Sequence, residues 1–287
     1  MELKKTVPSE SWFEDEQFWQ RFAPIIFDEA RWQEVPLVVK RIVEFLRRGT
    51  PAGNPPSEGN AERGASSPRL KTNIPQRDSY DEPLEILDQC CGTGRIAVEL
   101  ALQGSRVTGV DITPSYLEAA AESARNAGVP LELVRQDVRL FQRPDRFDGV
   151  VNLYTSFGYF DDPEDDALVV QNAYDSLKKG GRYILETLSK EIEARDFIEG
   201  EWFERAGYTV LTRYRILDAW RLLENHWILI DAAGNRYEKR FCQRLYSAAE
   251  LIRLLSDAGF EDIEVYGSWN LRPYDQDAQT LIVVGKK

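Results

Sequence analysis

Hydrophobic and polar positions follow two rhythms along this chain, and the change of rhythm divides it. From residue 84, short apolar runs at 84–88, 106–111, 131–134, 147–153 and 182–187 read as buried strands. Between them lie stretches with helical spacing. One helix is predicted over 94–103, with Gly104 as its stop. Another spans 113–128, where Thr113-Pro114 supplies N-cap and first-turn proline and Gly128 the end. A third opens at Asp162-Pro163-Glu164-Asp165 and closes near Lys178-Lys179-Gly180-Gly181, with cations beside the last carbonyls. Strands that alternate with helices specify a parallel sheet covered on both faces.

The alternation then stops. Runs at 208–216, 220–231 and 236–246 look like three strands with no helix between them, so they should pair antiparallel, Gly234-Asn235 being the clearest turn. Ser247 to Glu250 reads as a capping box for a helix ending at Gly259, and strands at 261–269 and 279–285 close the pattern. Before the core, Trp12, Phe13, Phe18, Trp19, Phe22, Phe27 and Trp32 recur at helical spacing, with Pro24 and Pro36 dividing the stretch, and 35–48 is an amphipathic helix. These aromatics either pack on the sheet or cover the mouth of a ligand cleft. Residues 49–83 hold almost no large apolar side chains, which predicts a flexible insertion in which only Ile74 and Tyr80 could dock. The expected organisation is an N-terminal helical cap (1–48), that insertion (49–83), a ligand-binding core (84–190), an antiparallel β insertion (191–246) and the end of the core (247–287).

Composition narrows the chemistry. The formal charge of −12 opposes non-specific binding to nucleic acid and favours a small-molecule partner. No apolar run is long enough for a membrane span, and Met-Glu-Leu-Lys-Lys lacks a signal-like apolar segment, so a cytoplasmic location is expected. Three cysteines, two of them the adjacent Cys90 and Cys91, and a single histidine form neither a disulfide framework nor a metal pattern.

The most telling stretch is Ile86-Leu-Asp-Gln-Cys-Cys-Gly-Thr-Gly-Arg95, followed by a second acid at Asp111. An apolar run ends in a carboxylate, then a glycine turn, then a helix. Carboxylates at the tips of two neighbouring strands can grip a charged, hydroxyl-bearing nucleoside at the carboxyl edge of a parallel sheet. Gly92, Gly94 and Ala97 also fit a dinucleotide fingerprint, which keeps an NAD(P)-dependent oxidoreductase open. Asp88 stands four residues before Gly92, however, and an anion there suits a cationic ligand end better than a pyrophosphate. S-adenosylmethionine (SAM) carries an ammonium and a sulfonium and no phosphate.

At this point the chain resembles the class I SAM-dependent methyltransferases. The resemblance continues through Arg106-Val-Thr-Gly-Val-Asp111, Arg135-Gln-Asp137, Asn152-Leu-Tyr-Thr-Ser-Phe-Gly-Tyr-Phe160 and Lys179-Gly-Gly-Arg182. One departure is Cys90, which stands where that family has the first glycine of its motif. The resemblance implies a Rossmann-like, doubly wound seven-stranded sheet with the last strand antiparallel, accompanied here by N-terminal helices and an inserted antiparallel β lid. It implies SAM as cofactor. Asp88 would face the methionine ammonium, and the backbone of Cys90, Gly92 and Gly94 the methionine and ribose. Asp111 would accept from the ribose hydroxyls, Ile112 and Val138 would sandwich adenine, Asp137 would accept from its amino group, and Asn152 and Leu153 would border the methionine. The expected reaction is methyl transfer to a nitrogen, oxygen or carbon of a small molecule, with a non-methylating SAM enzyme as the alternative.

Methyl transfer needs alignment more than covalent help. Candidate acceptor residues are Phe157 and Tyr159 after the fourth strand, Trp202 and Trp227 in the lid, and Arg240 and Arg244 for a substrate anion; packing accounts equally well for the aromatics. Tyr154 and His226 are the candidates for catalysis, and His226 shares its strand face with Leu222, Glu224, Ile228 and Ile230, as a packed histidine would.

Overall fold

The computed structural model describes residues 11–27, 29–48 and 82–287, with only the backbone of residues 29–31. The insertion expected at 49–83 thus lies almost wholly outside the described residues, as do Ile74 and Tyr80. A 3-10 turn (Trp12–Glu14) leads into α1 (Glu16–Ile26) and α2 (Glu29–Arg47). The core follows as β1 (Glu85–Gln89), α3 (Arg95–Leu102), β2 (Arg106–Asp111), α4 (Pro114–Ala127), β3 (Glu132–Arg135), β4 (Phe147–Asn152), α5 (Pro163–Ser176) and β5 (Leu177–Thr187). Next come α6 (Lys190–Asp196) and β6 (Gly200–Arg205), β7 (Tyr208–Leu217), β8 (Leu222–Ile230) and β9 (Arg236–Arg244). The chain ends in α7 (Ala248–Asp257), β10 (Glu261–Tyr266) and β11 (Leu281–Lys286).

The main sheet has seven strands in the order β10-β11-β5-β4-β1-β2-β3, and β11 runs antiparallel to both neighbours. The Rossmann-like expectation therefore holds, including the reversed last strand. From β1 the chain winds outward through β2 and β3, then returns to place β4 on the other side of β1. A crevice opens at such a switch point, beyond the carboxyl ends of β1 and β4.

Both faces of the sheet are covered. Val35, Val38, Val39, Ile42 and Phe45 of α2 pack with α3 on one face, while α5 and α7 cover the other with Val169, Val170, Leu251 and Leu255. This burial explains why the prolines do not divide the N-terminal stretch as their positions suggest. Pro24 lies inside α1 and Pro36 inside α2; the break falls between Ile26 and Glu29. An interior proline costs about 3 kcal/mol. Five buried side chains at roughly 1.5–3 kcal/mol each outweigh it.

Two further boundaries differ from expectation. α5 ends at Ser176, and Leu177, fully buried, already begins β5. Lys178 therefore serves Asp148 (2.9 Å) instead of the helix end. The inserted sheet has four strands, β6-β7-β8-β9. Its edge strand β6 and the short α6 escaped sequence analysis because β6 is exposed at five of six positions and has no alternating apolar face.

The inner face of the inserted sheet meets the aromatic N-terminus: Val210, Leu229 and Phe241 pack against Trp12, Phe18, Phe22 and Ile25. The insertion is tied to the loop after β4. Arg244 N–H donates to Gly158 O (2.7 Å), and Gln243 Nε2 to Thr155 O and Phe157 O (3.0 and 3.1 Å). Only glycine fits at 158, where φ is +89° and a Cβ would lie 2.5 Å from Arg244 O. Among the described residues no helix is long and apolar enough to cross a membrane.

Candidate active site

The turn after β1 carries the first set of groups. Cys90 has φ +56° and Gly92 φ +54°, so the backbone coils in the left-handed region before α3. A cysteine held there carries the strain a glycine avoids. Gly94, the α3 N-cap, has φ +77°, and a Cβ on it would lie 2.7 Å from Ala120 Cβ. Its glycine is required by the approach of α3 to α4, and it does not line the cavity described below.

Two carboxylates stand at the strand tips as expected. Asp111 accepts from Gly92 N through Oδ2 and from Thr113 N through Oδ1, both at 2.8 Å. Burial raises its pKa, opposed by those two N–H groups. Asp88 differs. It is 4% exposed, and its Oδ2 has no hydrogen-bond partner among the described residues. Burial first, and then the Asp111 carboxylate, push its pKa up to about 7, against the pull of Arg95. An unpartnered buried carboxylate is costly unless a cation completes it.

These groups line a cavity of about 1020 Å³. Cys90, Gly92, Asp111, Ile112, Asp137, Val138 and Leu153 form its wall at the strand tips. Phe13, Trp19, Ile26 and Phe27 close it from the N-terminal segment, so the aromatics both pack and cover the mouth. Asp137 also grips Arg139, whose Nη2 lies 2.6 Å from it. Against its burial, the Arg139 hydrogen bonds hold its carboxyl below the usual range. Asn152 does not line the cavity; it is buried beneath, 3.5 Å from Gln89 Oε1.

Several wall residues escaped sequence analysis. Arg95, in the first turn of α3, is 6% exposed and lies 3.6 Å from the centroid of the Tyr154 ring. Tyr116 of α4 donates to Trp19 O (2.9 Å) and thereby fixes α1 to the core. Both sit one turn beyond a strand tip, where a side chain returns to the crevice, and that position is the signal that could have found them.

A second cavity of about 1820 Å³ lies under the inserted sheet. Tyr154, Tyr159, Trp19 and Ile26 line both cavities and so form the seam between them. Tyr154 is held with φ +56°, its N–H donating to the buried Glu186 (3.2 Å).

The second cavity sorts the acceptor candidates by strand face. Tyr159 and Trp227 line it. Phe157 does not: it is 2% exposed, packed in the core and against Tyr246. Trp202 is paired with Leu211 and Ile228 on the outer face of the sheet and is 69% exposed. Arg240 lies in register with His226, also on the outer face. Arg244 donates to Asp161 O (2.7 Å) and stands 3.4 Å from the buried Asp166, so it anchors the insertion to the core. His226 turns away from the cavity that Leu223, Asn225 and Trp227 face, and its Nε2 lies 3.4 Å from Glu238.

Comparison with known proteins agrees with this architecture. Residues 86–181 match the family model described as a methyltransferase domain. A putative methyltransferase of Geobacillus sp. (strain WCH70) is 24% identical over 70% of this chain and 84% of its own length. A SAM-dependent methyltransferase from Clostridium acetobutylicum ATCC 824 superposes with a TM-score of 0.65 at 14% identity, covering 96% of this chain and 99% of that one. An amino pentose methyltransferase from Micromonospora echinaspora, solved with SAM bound, gives a TM-score of 0.55 at 23% identity over 72% of this chain and 85% of that one.

Residues 86–181 thus form a methyltransferase domain, and the fold is that of the class I SAM-dependent methyltransferases. It is an enzyme of SAM-dependent methyl transfer, with SAM as its cofactor. The cavity fits that cofactor: the orphaned Asp88 oxygen calls for a cation, and the aliphatic pair Ile112 and Val138 for a flat apolar ring.

Proposed function

We propose that the chain methylates a nitrogen, oxygen or carbon of a small molecule held in the cavity under the inserted sheet. The observation that carries this reading is the shared seam: the cavity at the strand tips and a larger one lined by aromatics meet at Tyr154, Tyr159, Trp19 and Ile26. Bound SAM would supply an electrophilic methyl group. The protein supplies placement, and ordering two reactants can contribute roughly 7–11 kcal/mol of the barrier.

In this reading Asp88 receives the methionine ammonium, and Asp111 accepts from the ribose hydroxyls with lone pairs not used by Gly92 and Thr113. The Cys90 to Gly92 backbone follows the methionine, Ile112 and Val138 flank adenine, and Asp137 and Leu153 complete the wall. Arg95, stacked on Tyr154, fixes the seam ring and balances the charge of Asp88. Tyr154 and Tyr159 shape the passage and exclude water. Residues 191–246 act as the substrate lid, and residues 12–27 as a cap shared by both cavities. The small-molecule acceptor is supported by the net charge of −12 and by the amino pentose methyltransferase among the similar structures.

Titration calorimetry with SAM, S-adenosylhomocysteine and NADH tests the cofactor assignment. SAM and S-adenosylhomocysteine should bind and NADH should not, because Asp88 opposes a pyrophosphate. Binding of NADH with no heat from SAM would overturn the reading in favour of a dinucleotide site.

A further inference from the structure

We propose that the lid cavity selects acceptors that carry an ammonium group, an inference that rests on the two-cavity reading above. Among the described residues, the charged side chains lining the cavity are Glu193, Asp196, Glu201, Glu204 and Arg205. Four acids thus face one base, and the base is engaged: Arg205 donates to Ile25 O. Asp196 has its own counterion in Arg195 at 2.6 Å. Glu193 and Glu201 have none: among the described residues neither side chain accepts a hydrogen bond or joins an ion pair.

Glu193 is set apart from a solvated acidic rim by its burial, while Glu201 is exposed but shares the sheet face that lines the cavity. Glu201 stands in the lid row Glu201–Thr212–Trp227, whose side chains face the cavity. Glu193, in the first turn of α6, is half-buried, and burial followed by the neighbouring Asp196 raises its pKa. A carboxylate that has lost part of its water and gained no cation is stabilised by a positively charged ligand and repels a negatively charged one.

A second observation points independently to a polar ligand in the same space. Trp12 lines the cavity at 7% exposure, and its indole N–H has no acceptor among the described residues. Buried N–H donors are ordinarily satisfied, so this one calls for a hydroxyl or carbonyl oxygen on the occupant or for an ordered water. Trp227 and Phe241 also line the cavity, and aromatic rings attract cations. The ligand read from these walls has an ammonium at one end, hydrogen-bond acceptors on its body and a size suited to the lid cavity. Among the described residues, an anionic acceptor would find only the occupied Arg205.

The test uses the full chain saturated with S-adenosylhomocysteine and calorimetric titration with matched probes. One set is 2-phenylethylamine, 2-phenylethanol and phenylacetate; the other is glucosamine and glucose. In at least one set the ammonium member should bind at least tenfold more tightly than its neutral or anionic partners. The double substitution Glu193→Gln with Glu201→Gln should remove that preference at least tenfold while leaving affinity for S-adenosylhomocysteine unchanged, which also shows that the variant is folded. The proposal is overturned by equal or tighter binding of neutral or anionic partners, by absence of amine binding in a protein that binds S-adenosylhomocysteine, or by a preference that survives the substitution. Failure of S-adenosylhomocysteine itself to bind would instead strike the cofactor site.

Discussion

Asp88→Asn is expected to give a protein that melts at a higher temperature at pH 8 yet binds SAM on the order of 10²–10³ times more weakly. The two effects have one cause. Asp88 is buried, one of its oxygens has no partner, and its pKa is pushed from 3.8 to about 7. A raised carboxylate means that the folded state holds a proton between about pH 4 and 7 that the unfolded chain has released. Its stabilising share is complete below the unfolded pKa and is lost as pH rises through 7. Above pH 7 the ionised form opposes folding by about 4–5 kcal/mol at most, from roughly 1.4 kcal/mol per pKa unit. Asparagine removes that charge and keeps the shape, so a net gain of about 1–3 kcal/mol remains after its own amide is desolvated. For a chain of this size that is roughly 2–8 °C in melting temperature. SAM binding moves the other way, because breaking one partner of a buried ion pair costs about 3–5 kcal/mol. Wild-type affinity for SAM should also fall as pH drops below 7, since the proton on Asp88 must leave before an ammonium can pair with it. Thermal denaturation across pH 5–8 and calorimetry check both halves. A destabilised Asp88→Asn variant at pH 8, or one with unchanged SAM affinity, would contradict the role given to Asp88.

Asp111→Ala should destabilise the protein, the opposite sign from its neighbour. The Asp111 carboxylate closes the turn by accepting from both Gly92 N–H and Thr113 N–H. Removing it leaves two largely buried donors unmet, at about 1–3 kcal/mol each, so a loss of roughly 2–4 kcal/mol is expected. SAM affinity should fall by a further 1–3 kcal/mol, or about tenfold to a hundredfold, through the lost ribose acceptor. Asp111 also raises the Asp88 pKa, so the acid limb of SAM binding should shift to lower pH in Asp111→Ala. Unchanged stability would show that the two hydrogen bonds do not hold the turn.

The parts of this fold that are local in sequence were legible in it. Asp88, the glycine turn and Asp111 lie within one strand-turn-helix-strand unit, and alternation alone specified a parallel sheet. The faces of the inserted sheet were not legible. Alternation correctly separated His226 from Trp227, but nothing in the strand says which side meets a cavity. That choice is made by Trp12 and Phe18 packing on Phe241, contacts between residues more than 200 positions apart. Trp202, Arg240 and His226 were read toward the substrate for the same reason and stand on the outer face. The edge strand β6 has no periodic apolar signal to read. Pro36 misled because its local cost is visible in sequence while the burial that offsets it is not.

The central claim is that the strand tips at Asp88 and Asp111 cradle an adenosyl ligand by its amino end and its ribose. A crystal structure of the chain grown with S-adenosylhomocysteine tests it most directly. The account predicts the amino group at about 3 Å from Asp88, the ribose hydroxyls on Asp111 and the adenine between Ile112 and Val138. A ligand bound elsewhere, with Asp88 Oδ2 still unpartnered, would contradict it.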